Sequence, residues 1–296
     1  MGKKRIVLLA VVIFCLAMMI PGAALAADIV DSGTCGANGA VKWTLDSDGL
    51  LVISGNGDMG DYTCCNGEKV KRVRIDDGVT RIGNNAFWSF DSLVSVEISD
   101  SVTSIGSYAF AACSNLSDIK IPDSVTDIGG LAFGGCDSLV SIEIPNGVTI
   151  ISYATFDGCG SLVDIRIPDS VTIIGERAFN HCGSLKNIKI PDSVTTIGDY
   201  AFAVCDNLSD IKIPDGVTSI GERAFVNCDS LVDIKIPDGV ASISDGVFDS
   251  CDSLVSIEIP DSVTSIGVGV FWNCSKLTDI KIPDGVTSIE NHVFNG

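Results

Sequence analysis

The apolar positions of the chain are strictly periodic. Phenylalanine recurs every 23 residues at Phe87, Phe110, Phe133, Phe156, Phe179, Phe202, Phe225, Phe248, Phe271 and Phe294, without a slip. Isoleucine keeps the same step from Ile75 to Ile282 and leucine from Leu93 to Leu277. Cysteine does so at Cys113, Cys136, Cys159, Cys182, Cys205, Cys228, Cys251 and Cys274. Ten unbroken copies mark a stack of like units rather than one irregular core.

One copy reads C-x-x-L-x-x-I-x-I-P-D-x-V-T-x-I-G-x-x-A-F-x-x. In L-x-x-I-x-I the alternation predicts a short strand, with Ile119 and Ile121 on one face and Lys120 on the other. Pro122-Asp123 then turns the chain: proline presets φ and lacks a ladder N–H, and aspartate bonds its local backbone. V-T-x-I predicts a second extended stretch. G-x-x-A-F-x-x-C predicts one or two helical or 3-10 turns that plug alanine and phenylalanine into the interior. A single copy cannot cover its own apolar side chains, so neighbours must stack like residue on like residue. At a strand spacing of about 4.8 Å, ten copies make a slab roughly 45–50 Å long. The predicted fold class is a β-rich α/β solenoid, a right-handed coil of about ten repeats with a parallel sheet and short helical or 3-10 turns.

The tandem A-F-x-x-C-x-x-L-x-x-I-x-I-P-D-x-V-T-x-I-G units resemble the BspA-like, treponemal-type class of leucine-rich repeats over residues 71–296, the last repeat incomplete. That resemblance implies a secreted or surface protein, of bacterial type above all, associated with adhesion to host proteins or other cells. Periodicity itself describes a scaffold and carries no information about a ligand.

The ends differ from the repeat. Residues 1–26 have Lys3, Lys4 and Arg5, an apolar run from Ile6 to Ile20, then Ala24-Leu25-Ala26, which predicts a cleaved secretory signal peptide. The apolar run is shorter than the roughly 20 residues of a membrane span. Cys15 lacks the small preceding residues of a lipid-modified cysteine. In residues 27–70, Val41–Leu45 and Leu50–Ser54 flank Asp46-Ser-Asp-Gly49 and predict a β-hairpin, read as an N-terminal cap over the first coil; a separate binding domain of this size would hardly fold alone. The chain stops at Phe294-Asn295-Gly296 with no polar capping segment, so end-to-end self-association or a truncated record is expected.

Charge narrows the partners. Removing Lys3, Lys4 and Arg5 from 19 basic residues leaves 16 against 38 acidic, a net charge of −22 for the mature chain. Nucleic acid and anionic membrane both require a surplus of cations, so neither is an expected partner, and nothing after the signal inserts in a bilayer.

The candidate chemistry is sparse. No phosphate loop, dinucleotide fingerprint or zinc-spaced cysteine set is present, no cofactor is implied, and His181 and His292 lie five repeats apart. No spacing fixes an acidic residue beside His181, which reads as a variable surface position. The ladder cysteines, Cys113 to Cys274, are expected inside as small apolar residues rather than as a disulfide framework. Cys35, Cys64 and Cys65 lie in the cap, and one bridge from Cys35 to Cys64 or Cys65 is expected. The turn aspartates from Asp77 to Asp284 read as turn chemistry, and the threonines from Thr80 to Thr287 as sheet packing. The most informative variation is on the outward strand positions. Where the residue before the last core isoleucine is Lys120, Arg166, Lys189, Lys212, Lys235 or Lys281, the residue two earlier is Asp or Asn; where it is Glu97, Glu143 or Glu258, that residue is Ser. Lys189, Lys212 and Lys235, with Asn187, Asp210 and Asp233, are therefore the candidate binding surface. Three readings follow: a non-enzymatic protein- or glycan-binding module, a self-assembling envelope or matrix component, and a glycan-binding accessory module of an enzyme.

Overall fold

The computed structural model describes residues 27–62 and 65–295, so the predicted signal segment and Cys64 lie outside the described residues. The chain forms a parallel β-solenoid of about ten coils. A typical coil has a strand of three or four residues, such as Asp118–Lys120, and a shorter one, such as Asp127–Ile128. Equivalent strands in consecutive coils pair in parallel with like residue opposite like: Ile142 opposite Ile165, Ile188 opposite Ile211, Ile174 opposite Ile197. Between them Val125 N–H donates to Pro122 C=O at 3.0 Å, closing the turn that Pro122-Asp123 predicts.

The interior is a set of columns. Phe87 to Phe271 are all buried, and consecutive rings from Phe87 to Phe294 stack with centroids 5.2–6.0 Å apart and planes within 17°. Leucine, isoleucine and valine columns fill the rest of one continuous core. Burying like shapes in line lets every coil meet the same complementary surface, so the sequence need only be solved once. In the last described coil this cover runs out, and Phe294 is 48% exposed.

The third side departs from expectation. In place of helical or 3-10 turns, residues 84–90 and their equivalents form single β-turns; among the described residues the only 3-10 segments are Ala37–Gly39 and Gly67–Lys69, outside the sequence repeat. The N–H groups divide between two partners. Asn85, Phe87 and Ser89 donate to Ser107, Ala109 and Ala111 of the next coil, whereas Trp88 and Phe90 donate three residues back. A helix would keep every N–H within its own segment and leave the coils unjoined on this side. The alternation needs left-handed backbone at two positions per coil, as at Asn85 and Ser89, or Tyr200 and Val204.

The non-repeating segment joins the same sheet. Strands β1 (Ile29–Thr34), β2 (Val41–Asp46) and β3 (Leu50–Gly55) pair antiparallel, and β3 then pairs in parallel with Arg72–Ile75, Leu51 opposite Val73. Beyond β3, Gly57–Asp58 pairs with the Val79–Ile82 strand, and Met59 and Val70 are fully buried where Ile82 and Leu93 stand 23 residues later. The backbone thus makes a coil without the repeat's letters. No helix among the described residues is long and apolar enough to cross a membrane.

Candidate binding surface

Alternation along each long strand turns two side chains outward, and stacking at the strand spacing makes columns of them. The column nearest the turn runs Arg74, Glu97, Lys120, Glu143, Arg166, Lys189, Lys212, Lys235, Glu258 and Lys281. Its neighbour carries Asp118, Ser141, Asp164, Asn187, Asp210, Asp233 and Ser256. The first half of the column alternates in sign and borders a groove of about 940 Å³ lined by Glu97, Lys120, Glu143 and Arg166. From Arg166 to Lys235 four cations adjoin without interruption.

The sequence-predicted residues do come together. Lys189 lies opposite Lys212 and Asn187 opposite Asp210, each pair on adjacent parallel strands. Asp233 and Lys235 lie on the next strand, facing Ser256 and Glu258. All six are exposed, while Ile188, Ile211 and Ile234 between them point into the core. The two ends of the run are partnered: Arg166 lies 3.9 Å from Glu143 and Lys235 3.8 Å from Glu258. Lys189 and Lys212 make no ion pair within 4.0 Å among the described residues. Like charges on adjacent rungs repel, so this surface is held by the core beneath it and not by its own contacts. Sequence reasoning placed Arg166 in the pattern but centred on three lysines, and it passed over Lys186. Arg166 stands one repeat before Lys189, and Lys186 occupies an outward position where the neighbouring coils carry Val163 and Ser209. The spacing itself was the available signal.

The cysteine ladder is structural. From Cys113 to Cys274, each thiol donates to the carbonyl of the phenylalanine 26 residues earlier, Cys182 to Phe156 at 3.2 Å and Cys205 to Phe179 at 3.3 Å. These eight cysteines are unbridged. Burial pushes their thiols up, those of Cys113 and Cys159 to about 12, so they are neither nucleophiles nor ready metal ligands. Cys35 and Cys65 pack half-buried against the core, and the bridge expected from Cys35 involves a choice that includes Cys64, outside the described residues.

The opposite, turn-bearing face holds a cluster that sequence reading missed. His181 was expected to lack an acidic neighbour, yet its Nδ1 lies 3.8 Å from Asp157 Oδ1 of the preceding coil, which also accepts from Asn180 Nδ2 at 2.9 Å. Burial raises the Asp157 carboxyl. The Arg177 guanidinium lies over the Tyr200 ring, 5.5 Å from its centroid, and Arg223 donates to the Tyr200 hydroxyl at 3.1 Å. Every contact in this set joins one coil to the next, so it works as an inter-coil tie; Cys182 beside it is buried and turned inward. Farther round, Asp206, Asp229 and Asp252 stack, and burial and the two flanking carboxylates raise that of Asp229. Thr103, Thr172, Thr195 and Thr218 hydroxyls donate to the carbonyl of the residue one coil back, an inter-coil role for that row. Among the described residues no group of three or more His, Cys, Asp or Glu is placed to hold a metal ion.

The family model described as BspA type leucine rich repeat region (6 copies) matches residues 57–186 and 172–296. The chain belongs to the BspA-type leucine-rich-repeat family. A leucine rich cell surface protein of Faecalibacterium prausnitzii is 32% identical over 87% of this chain and 90% of its own, with a TM-score of 0.46. A leucine-rich repeat protein of Bacteroides ovatus is 26% identical over 88% of this chain and 82% of its own, with a TM-score of 0.62. No protein of curated function is significantly similar to the chain.

Proposed function

We propose that this BspA-type protein is exported and works as a binding module in adhesion-type contact, taking an extracellular protein or glycan on its long-strand face without catalysis. A single observation carries the reading. Inward positions repeat one letter from coil to coil, whereas the outward columns of this one face change sign in a pattern and gather four cations on a chain of net charge −19. Selection for folding alone leaves no reason to concentrate repelling charge at Lys189 and Lys212. The surface or extracellular location is supported by the family and by the 32% identical cell surface protein, and by the Lys-Lys-Arg and apolar leader of residues 1–26. In this reading β1–β3 close the first end of the solenoid. The test is retention of the mature protein on immobilised matrix proteins and on a glycan array, wild type beside the Lys189→Glu, Lys212→Glu, Lys235→Glu triple variant. Retention that falls with the variant supports the reading. Equal retention of both removes the strand face from the account.

A further inference from the structure

We infer that the strand face takes a linear anionic polysaccharide, one carboxylate per sugar, laid along the solenoid axis. This rests on the strand face being the binding surface and adds the ligand's chemistry. Arg166, Lys189, Lys212 and Lys235 present one cation per coil, so charge is offered every ~4.8 Å. In an extended 1,4-linked uronate chain successive residues face opposite ways, so the carboxylates on one side recur once per disaccharide, close to two strand spacings (~9.6 Å), and meet every second rung while the rungs between meet ring hydroxyls. The neighbouring column, Asp164, Asn187, Asp210 and Asp233, supplies acceptors at the same step for sugar hydroxyls, and Asn187 adds donors. Exposed Val163 and Val232 border these columns and suit the C–H faces of the rings.

The same geometry rejects other polyanions. An extended acidic peptide repeats its side chains on one face every ~6.8 Å and falls out of step within two coils. A heavily sulfated chain or a nucleic acid presses further anions against Asp164, Asp210 and Asp233 and against the turn row Asp169, Asp192, Asp215 and Asp238, and brings few hydroxyls to satisfy them. The ligand therefore needs sparse, regular charge and free hydroxyls, which is the description of a polyuronate. Asn187 marks the centre: it is the one place among these four coils where the acidic column is neutral, and Lys186 and Lys189 flank it.

The experiment uses the mature chain in a biosensor against polygalacturonate, neutral dextran, dextran sulfate, poly-glutamate and double-stranded DNA, at low and high salt. Polygalacturonate binds, weakens as salt screens the column, and exceeds every other probe by about tenfold or more. The Lys189→Gln, Lys212→Gln, Lys235→Gln variant, folded by circular dichroism, loses about tenfold or more, and Lys42→Gln, Lys276→Gln loses none. Equal binding of dextran sulfate, poly-glutamate or DNA would make the face a general ion exchanger and overturn the assignment, as would binding of neutral dextran or no binding at all. If no polysaccharide binds while a matrix protein is retained and released by the triple substitution, the ligand class is wrong and the binding face stands. If neither responds to the substitution, both fall.

Discussion

Replacing Phe202 by alanine isolates the force that holds the coils together. Its ring is fully buried between Phe179 and Phe225, each with a centroid 5.4 Å away and nearly parallel. A buried Phe→Ala change costs about 3–5 kcal/mol through lost transfer energy and the cavity left behind. Losing two aromatic contacts, each about 0.5–1.5 kcal/mol beyond area, places this site toward the upper end. Phe294 is the internal control, since it is 48% exposed and stacks on Phe271 alone; half of a phenylalanine's burial predicts a loss of about 1 kcal/mol for Phe294→Ala. Urea unfolding followed by circular dichroism reads both. Because each coil touches only its neighbours, the central cavity should also broaden the transition as the two halves uncouple. A Phe202→Ala loss within 1 kcal/mol of the Phe294→Ala loss would refute the reasoning, because it would mean that the rings do not share a dry interior.

Other consequences follow from the same geometry. Val204 sits at φ 56° where the equivalent residues two and three coils earlier are Gly158 and Gly135; Val204→Gly should stabilise by about 1 kcal/mol by relieving a left-handed β-branched residue, and a lowered thermal midpoint would contradict that. Ladder thiols with pKa raised from 9.0 to about 12, as at Cys113 and Cys159, keep their protons when folded and lose them when unfolded. Their stabilisation is complete below pH 9 and is lost as pH rises toward 12, by up to about 1.4 kcal/mol per pH unit per thiol. Urea midpoints should therefore fall steeply between pH 9 and 11, and replacing ladder cysteines by alanine should flatten the slope; a flat wild-type profile would count against buried thiols. At pH 8 the seven buried ladder cysteines, Cys113 to Cys251, should resist a thiol reagent until denaturant is added, and rapid native labelling of Cys182 or Cys205 would place them at the surface.

Most of the scaffold was legible because a period of 23 repeats the same physical constraint ten times. Phe110 and Ile119 declare their burial through their copies, and the coil-to-coil register follows with no further choice. The turn side was misread because A-F-x-x-C has helix-compatible letters, and the competition between a segment's own hydrogen bonds and its neighbour's leaves no mark in composition. Leu131, Ala154 and Arg177 at positive φ give no warning in sequence, where glycine would have. Met59 and Val70 keep the step of 23 to Ile82 and Leu93 but carry other letters, and the slipped residue between Gly57 and Asp58 breaks the count just before them, so the pattern does not announce this coil. On the candidate surface the lysine column was legible from spacing. The pairing of Lys235 with Glu258, and the lack of an ion pair for Lys189 and Lys212 among the described residues, needed coordinates. The His181–Asp157 approach crosses a coil boundary, so only stacking brings it about.

The claim that this face is where the ligand lies is tested most directly by lysine acetylation footprinting of the mature protein with and without saturating polygalacturonate, read peptide by peptide by mass spectrometry. Lys189, Lys212 and Lys235 should lose reactivity when the polymer is present, while Lys42 and Lys276, which are also exposed, keep theirs. Protection spread evenly over all five, or centred on Lys276, would contradict the account.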